Sequence, residues 1–153
     1  MAKTCKICRS ELQPILLPDF TGNDRTLYIT FSNVPALVCR EGHEKKMVDG
    51  EFPIYVLRTV LKKVPKSNVK GFAKKQHFCN KCGALLDPKV LANEHFQIQI
   101  DWKGMKPFGA DVAAPSAKCS ACLTVQMVKT RELEQEEIPN AIVKAFDSIQ
   151  LKR

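Results

Sequence analysis

Apolar residues recur along the chain at two different periods. Leu27, Ile29 and Phe31 alternate with Tyr28, Thr30 and Ser32, and Phe96, Ile98, Ile100 and Trp102 alternate with Gln97, Gln99 and Asp101. A two-residue period with one apolar face predicts half-buried antiparallel strands. Thr21-Gly22-Asn23-Asp24 and Lys103-Gly104 predict hairpin bends beside them. Leu123, Val125 and Met127 predict a further strand, and His95 is read as a solvent or turn residue where the second strand opens. Elsewhere the period lengthens. Val56, Leu57, Val60, Leu61 and Val64 recur at three and four, as do Ala141, Ile142, Ala145, Phe146 and Ile149. These are core faces of amphipathic helices over Pro53 to Val64 and Pro139 to Gln150, each opened by a proline suited to a first helical turn.

The pattern is duplicated. Cys5, Cys8, Leu12, Pro14 and Leu17 match Cys79, Cys82, Leu86, Pro88 and Leu91, all 74 positions on. Further along, Glu51-Phe52-Pro53 is echoed by Glu137-Ile138-Pro139. Two echoes in the same order predict tandem units of knuckle, hairpin, knuckle and helix.

Six of the 7 cysteines fall in C-x-x-C pairs, namely Cys5 with Cys8, Cys79 with Cys82, and Cys119 with Cys122. Cys39 stands apart, but His43 follows it by four residues and Gly42 gives that turn its freedom in φ. Seven thiols and one imidazole make the eight ligands that two tetrahedral ions require. The expected sites are Cys5, Cys8, Cys39 and His43, then Cys79, Cys82, Cys119 and Cys122. Two structural Zn2+ ions are the expected cofactors; iron in a rubredoxin-like site would use the same four cysteines at the second. A thioredoxin-like dithiol usually stands as one lone pair, which three pairs with a matching fourth half-site do not resemble. His77 and His95 are read as non-ligands, and the 3 histidines form no triad or paired-carboxylate pattern that would support hydrolysis, so no enzyme activity is expected.

The 153 residues carry 24 Lys and Arg against 16 Asp and Glu, a formal charge of +8. No apolar stretch is long enough for a bilayer span or a secretory signal, so a cytoplasmic location without membrane contact is expected. The charge is concentrated, because no Asp or Glu occurs from Phe52 through Leu86. Lys62, Lys63, Lys66, Lys70, Lys74 and Lys75 lie in that window and are the candidate nucleic-acid contacts. Lysines of this kind grip phosphates without reading bases.

Asn33-Val34-Pro35-Ala36-Leu37-Val38-Cys39, preceded by Cys5-x-x-Cys8 and a strand, resembles a YgiT-type zinc finger, the N-terminal module of MqsA-like antitoxins. The resemblance covers about the first third of the chain. The family's last knuckle is usually C-x-x-C, where this chain has Cys39-x-x-x-His43, and the helix-turn-helix that those antitoxins add is not found.

The expected fold is α+β, with two tandem zinc-ribbon-like units, each a β-hairpin with zinc knuckles followed by an amphipathic helix. The units are 1–64 and 77–153, joined by a basic linker at 65–76. The leading function is a non-enzymatic regulatory or adaptor protein that contacts nucleic acid, or a nucleic-acid-bound partner, through its basic middle. A protein-only module docking a partner through its helices is the alternative, and rubredoxin-like electron transfer the third. No small-molecule substrate is expected.

Overall fold

A computed structural model describes residues 3–48, 51–71, 76–87, 91–102, 106–128 and 136–149. The protein is mixed α+β and rich in sheet. The N-terminal half contributes β1 (Gln13–Leu16), β2 (Phe20–Asp24), β3 (Leu27–Ser32), β4 (Pro35–Val38), β5 (Lys45–Met47) and α1 (Phe52–Lys63). The remainder contributes β6 (Asn68–Lys70), β7 (Gln76–Phe78), β8 (Ala92–Ile100), β9 (Phe108–Lys118), β10 (Val125–Met127) and α2 (Ile138–Ser148). Among the described residues no helix is long and apolar enough to cross a membrane.

The central strand is β9, whose composition gives little warning of that role. On one edge it pairs with β8 from Phe108 to Ser116. On the other it pairs first with β3, where Tyr28 faces Ala113 and Ser32 faces Gly109, and then with β10, where Met127 faces Ser116. Pro115, which cannot donate to a ladder, stands at the break between those two partners. Strand β2 completes the five-stranded sheet beyond β3, and β1, β4 and β5 form a separate three-stranded sheet.

One face of the large sheet is apolar. Leu27, Ile29 and Phe31 of β3 are fully buried beside Ala110, Val112 and Ala114 of β9 and Ile98 and Ile100 of β8. Both helices cover it, and their positions differ from a simple tandem arrangement. Helix α2 lies on β2 and β3 of the first half, and α1 contacts β8 of the second. Phe146 of α2 packs against Phe20 and Phe31 at 5.5 and 5.3 Å, while Phe52 of α1 packs against Trp102 and Phe108 at 5.5 and 5.4 Å. Aromatic pairs at such separations contribute about 0.5–1.5 kcal/mol beyond the burial itself. The physical reason for the exchange is the β3–β9 pairing, which merges two hairpins into one apolar surface that neither helix covers alone. Phe52 and Phe146 meet over it, 6.2 Å apart.

Several local expectations change. Thr21–Asp24 is strand rather than bend, with Arg25 (φ 54°) in the turn that follows. Gly22 serves packing instead, since a Cβ there would lie 2.0 Å from the Ala141 carbonyl oxygen. His95 sits well inside β8, where its Nδ1 is 2.7 Å from an Asp111 carboxylate oxygen. Leu17 is buried but its echo Leu91 is exposed; Pro88 and Lys103-Gly104 lie outside the described residues. Of the 65–76 segment expected as a linker, the described residues 65–71 and 76 make backbone pairings. Ser67 N–H donates to the Met127 carbonyl, Met127 N–H donates to that of Pro65, and β6 pairs with β7.

Candidate metal centre

Four short turns supply the ligands, and each closes in the same way. The backbone N–H of Cys5 donates to the carbonyl of Ser10 (2.8 Å), Cys39 to Glu44 (3.0 Å), Cys79 to Ala84 (2.8 Å) and Cys119 to Thr124 (2.9 Å). In three of them the residue after the second cysteine takes positive φ, namely Arg9 (60°), Gly83 (79°) and Leu123 (65°). In the fourth turn Gly42 takes it (76°), one position earlier, and returns its N–H to the Cys39 carbonyl. The third position after Cys39 is thereby spent on the turn, which is why the donor side chain there is His43, at the fourth.

The duplication extends to hydrogen bonds. Leu12 N–H donates to the Lys3 carbonyl and Leu86 N–H to that of His77, both at 2.8 Å. Isolated bridges join Thr4 to Glu11 and Phe78 to Leu85, again 74 positions apart.

These turns bring all eight expected ligands into two clusters. Cys5, Cys8, Cys39 and His43 form one and Cys79, Cys82, Cys119 and Cys122 the other, with the donor atoms of each within 4.8 Å of one another. The spacing fits tetrahedral coordination. Thiolates about 2.3 Å from a shared ion stand about 3.8 Å apart at the tetrahedral angle. Here Cys8 and Cys39 Sγ are 3.4 Å apart, Cys79 and Cys122 3.6 Å, and Cys82 and Cys119 3.5 Å. His43 Nδ1 lies 3.8 Å from Cys5 Sγ and 3.7 Å from Cys39 Sγ. A disulfide would need about 2.05 Å, and all seven cysteines are free thiols.

Polar groups around the sulfurs favour the ligating thiolate form. Ile7 N–H points at Cys5 Sγ and Lys81 N–H at Cys79 Sγ, both at 3.4 Å. The Ser10 hydroxyl, 2.8 Å from Cys8 Sγ, and the Ser10 N–H pull the Cys8 thiol down to about 7. The Cys82 backbone N–H and the Gln126 amide pull Cys79 down to about 6. Against the lowering pull of the Ala84 N–H, the Cys119, Cys122 and Cys79 sulfurs push Cys82 up to about 12. Four thiolates this close repel one another unless a cation sits between them, and a divalent ion supplies that charge. Each cluster could therefore hold a metal ion.

Two supporting residues escape the spacing argument. Fully buried Gln126 accepts from the Asn80 backbone N–H (2.8 Å) and donates its amide to Cys79 Sγ (3.2 Å). In the first cluster Glu44 accepts from Lys6 N–H at 3.0 Å, with Lys46 Nζ 3.6 Å away. Such partners fix ligand orientation. The alternation Leu123, Val125, Met127 marks Gln126 as outward-facing, so only its position just beyond a knuckle hinted at this role. His77 is half-buried on β7 beside Ser67, and neither His77 nor His95 belongs to a cluster.

The basic residues are more dispersed. Lys63 Nζ donates to the Gln99 carbonyl (2.7 Å), Lys66 Nζ to that of Leu61, and Lys70 Nζ lies 5.4 Å from the Phe78 ring centroid. Lys62 is exposed on the last turn of α1; Lys74 and Lys75 lie outside the described residues. No protein-family model matches the chain, and no curated protein or solved structure matches it significantly.

Proposed function

We propose that this is a zinc-stapled, non-enzymatic regulatory or adaptor protein that contacts nucleic acid, or a partner already bound to it, through the basic segment between its two ligand-bearing halves. The chemistry of the donors supports zinc. A set of three thiolates and an imidazole, and a second of four thiolates, fill all four positions of a tetrahedral ion and leave none open for substrate water, as in structural sites. The observation that carries the nucleic-acid reading is the charge distribution. From Phe52 through Leu86 there is no acidic residue, while Arg58 and the lysines from Lys62 to Lys81 supply eight positive charges. The resemblance of the N-terminal segment to a YgiT-type finger accords with a regulatory role and extends no further than that segment.

The test replaces Lys66, Lys70, Lys74 and Lys75 by Gln. Metal content should be unchanged, because none of the four is a ligand, and the fold should survive the loss of the Lys66 contact with the Leu61 carbonyl. Affinity for a generic oligonucleotide should fall, and the slope of log affinity against log salt should shrink by about 0.7–0.9 for each phosphate that a lysine no longer neutralises. Absence of binding by the parent protein at about 50 mM salt overturns the reading in favour of protein-only docking. Elemental analysis with an absorption spectrum separates zinc from a coloured iron–thiolate centre.

A further inference from the structure

Helix α2 is sealed to the sheet, whereas α1 leaves its side partly open. Under α2, Gly22 lets β2 approach until the Ala141 carbonyl and the Ala145 backbone occupy the space of its missing Cβ. The charges there are matched, with Arg25 2.8 Å from Glu136 and 3.4 Å from Glu137, and Lys144 3.3 Å from Asp24. On the other side β8 is only half covered. Its Ile98 and Ile100 are buried and Phe96 is half-buried, but Ala92 to His95 are all exposed. Strand β8 pairs with β9 in unbroken register from Ala92 to Ile100, and with no other described strand.

Two contacts show which backbone groups face that open edge. Asn93 stands opposite Pro115, which has no N–H to give. The Gln99 carbonyl accepts from Lys63 Nζ at 2.7 Å, a donor that reaches it from α1. Residues of an antiparallel strand alternate between bonding one neighbour and facing away from it. Asn93, His95, Gln97 and Gln99 therefore turn their N–H and C=O groups outward, and among the described residues only the Gln99 carbonyl has a partner there. Exposed edges are normally blunted by proline, lysine, a bulge or short length. Strand β1 carries Pro14, β2 has five residues and β10 is bridged by Lys66; β8 has none of these devices. Its only acidic residue is Glu94, which shares the helix-covered face with Phe96 and Ile98.

We infer that β8 pairs antiparallel with β8 of a second copy of this chain, with Phe96 on the two-fold axis, so that one sheet runs through a symmetric dimer. Outward groups must meet outward groups, which restricts the axis to a few positions. An axis at Glu94 sets two carboxylates against each other, and one at His95 sets two imidazoles together. The axis at Phe96 pairs two aromatic rings and lets His95 and Gln97 exchange backbone hydrogen bonds with Gln97 and His95 of the second copy. In that register Glu94 faces Ile98 of the second copy, beside the Lys63 that sits on the neighbouring Gln99 carbonyl. Each Lys63 thus meets the other copy's Glu94. The bare half of each β8 also falls opposite the half that the other copy's α1 already covers. A foreign strand would have to bring its own cation to Glu94, whereas a second copy always carries one.

Sedimentation over a micromolar to near-millimolar series should show a monomer–dimer equilibrium. Salt of about 0.15 M gives a Debye length of about 8 Å, which screens the +8 charges of the two copies from each other. Gln97→Pro removes an outward N–H that the chain's own ladder does not use, so it should abolish the dimer with metal content unchanged. Glu94→Lys, at an exposed position, serves if that variant fails to fold. It should weaken dimerisation at least about tenfold by setting like charges together, and Lys63→Glu should do the same. Mixed in equal amounts, the two charge variants should dimerise again, because the mixed pair alone brings opposite charges together at both contacts. A protein that stays monomeric throughout the series overturns the dimer, even where a foreign peptide occupies the edge. A dimer that survives Gln97→Pro or Glu94→Lys overturns it too, and so does a mixture of the charge variants that stays monomeric.

Discussion

The two ligand clusters are made from the same turn and fastened to the molecule in different ways. The first hangs from the small sheet of β1, β4 and β5, and its buried companions are Leu12 and, in part, Leu37. The second is the end of the central strand. Cys119 directly follows β9, β10 returns along β9 from the far side of the turn, and Leu86, Ala117 and Val128 pack around the sulfurs. The two clusters thus share their local hydrogen bonding but not their attachment to the rest of the molecule. A metal in the second cluster would tie β10 to the end of β9; one in the first would tie down the small sheet, whose Ala36 and Met47 reach the main core.

The largest expected effect sharpens this contrast. A structural zinc contributes about 10–16 kcal/mol of apparent binding energy to folding at neutral pH, comparable to a whole domain's stability of about 5–15 kcal/mol. Cys119→Ser should therefore unfold both halves in one transition, seen as loss of near-ultraviolet circular dichroism and of amide protection on β3 as well as β9. Cys39→Ser should remove one metal ion per chain and lower the melting temperature while leaving protection on β3 and β9 in place. Equal loss of that protection in the two variants would break the comparison.

His43 tests the first cluster more gently. His43→Ala should reduce the metal from two ions to one per chain, whereas His77→Ala and His95→Ala leave it at two, by elemental analysis. His43→Cys supplies a thiolate on the same turn and should restore the second ion. Retention of two ions by His43→Ala would sink the assignment of its imidazole as a ligand.

The helices show the same kind of asymmetry. Gly22→Ala drives a methyl group into the Ala141 carbonyl, an overpacking that costs about 1–3 kcal/mol. Urea unfolding should register it without loss of metal. On the open side, Ile54→Ala removes an exposed side chain from α1 and should leave the midpoint nearly unchanged. A large effect at Ile54 with none at Gly22 would reverse which helix is sealed.

Much of this was legible in the chain because metal ligation imposes spacing. The two clusters of four candidate donors and both helices follow from the positions of the cysteines and His43 and from the apolar period alone. Strand β3 and the inward residues of β8 were equally plain, since Ile29, Phe31, Ile98 and Ile100 alternate cleanly. Strand β9 was not: Gly109, Ala110, Ala113, Ala114 and Pro115 have poor strand propensity, and their place at the centre is set by tertiary pairing. Missing β9 hid the merging of the hairpins, and with it the exchange of helices. Gly22 misled for a related reason, because a glycine required for close approach carries the same signal in sequence as one required for a turn.

The smallest effect concerns Asp24, which ties the sealed helix to the sheet. Its carboxylate lies 3.3 Å from both Lys144 Nζ and Asn140 Nδ2. Desolvation by burial would raise its pKa, but the Asn140 and Lys144 hydrogen bonds and the Lys144 and Arg25 charges outweigh it and hold the group below the usual carboxylate value. A carboxylate depressed in the folded state stabilises the fold above its unfolded pKa of about 3.9, and that contribution is lost as pH falls through the folded value. Asp24→Asn should therefore lower the melting temperature at neutral pH by less than Gly22→Ala does, and the difference from the parent protein should close under acid. Arg58→Gln, on the helix whose arginine has no acidic partner among the described residues, should show no such pH-dependent difference. A deficit in Asp24→Asn that persists undiminished in acid would assign Asp24 to packing, and the two helices would then differ in shape but not in charge.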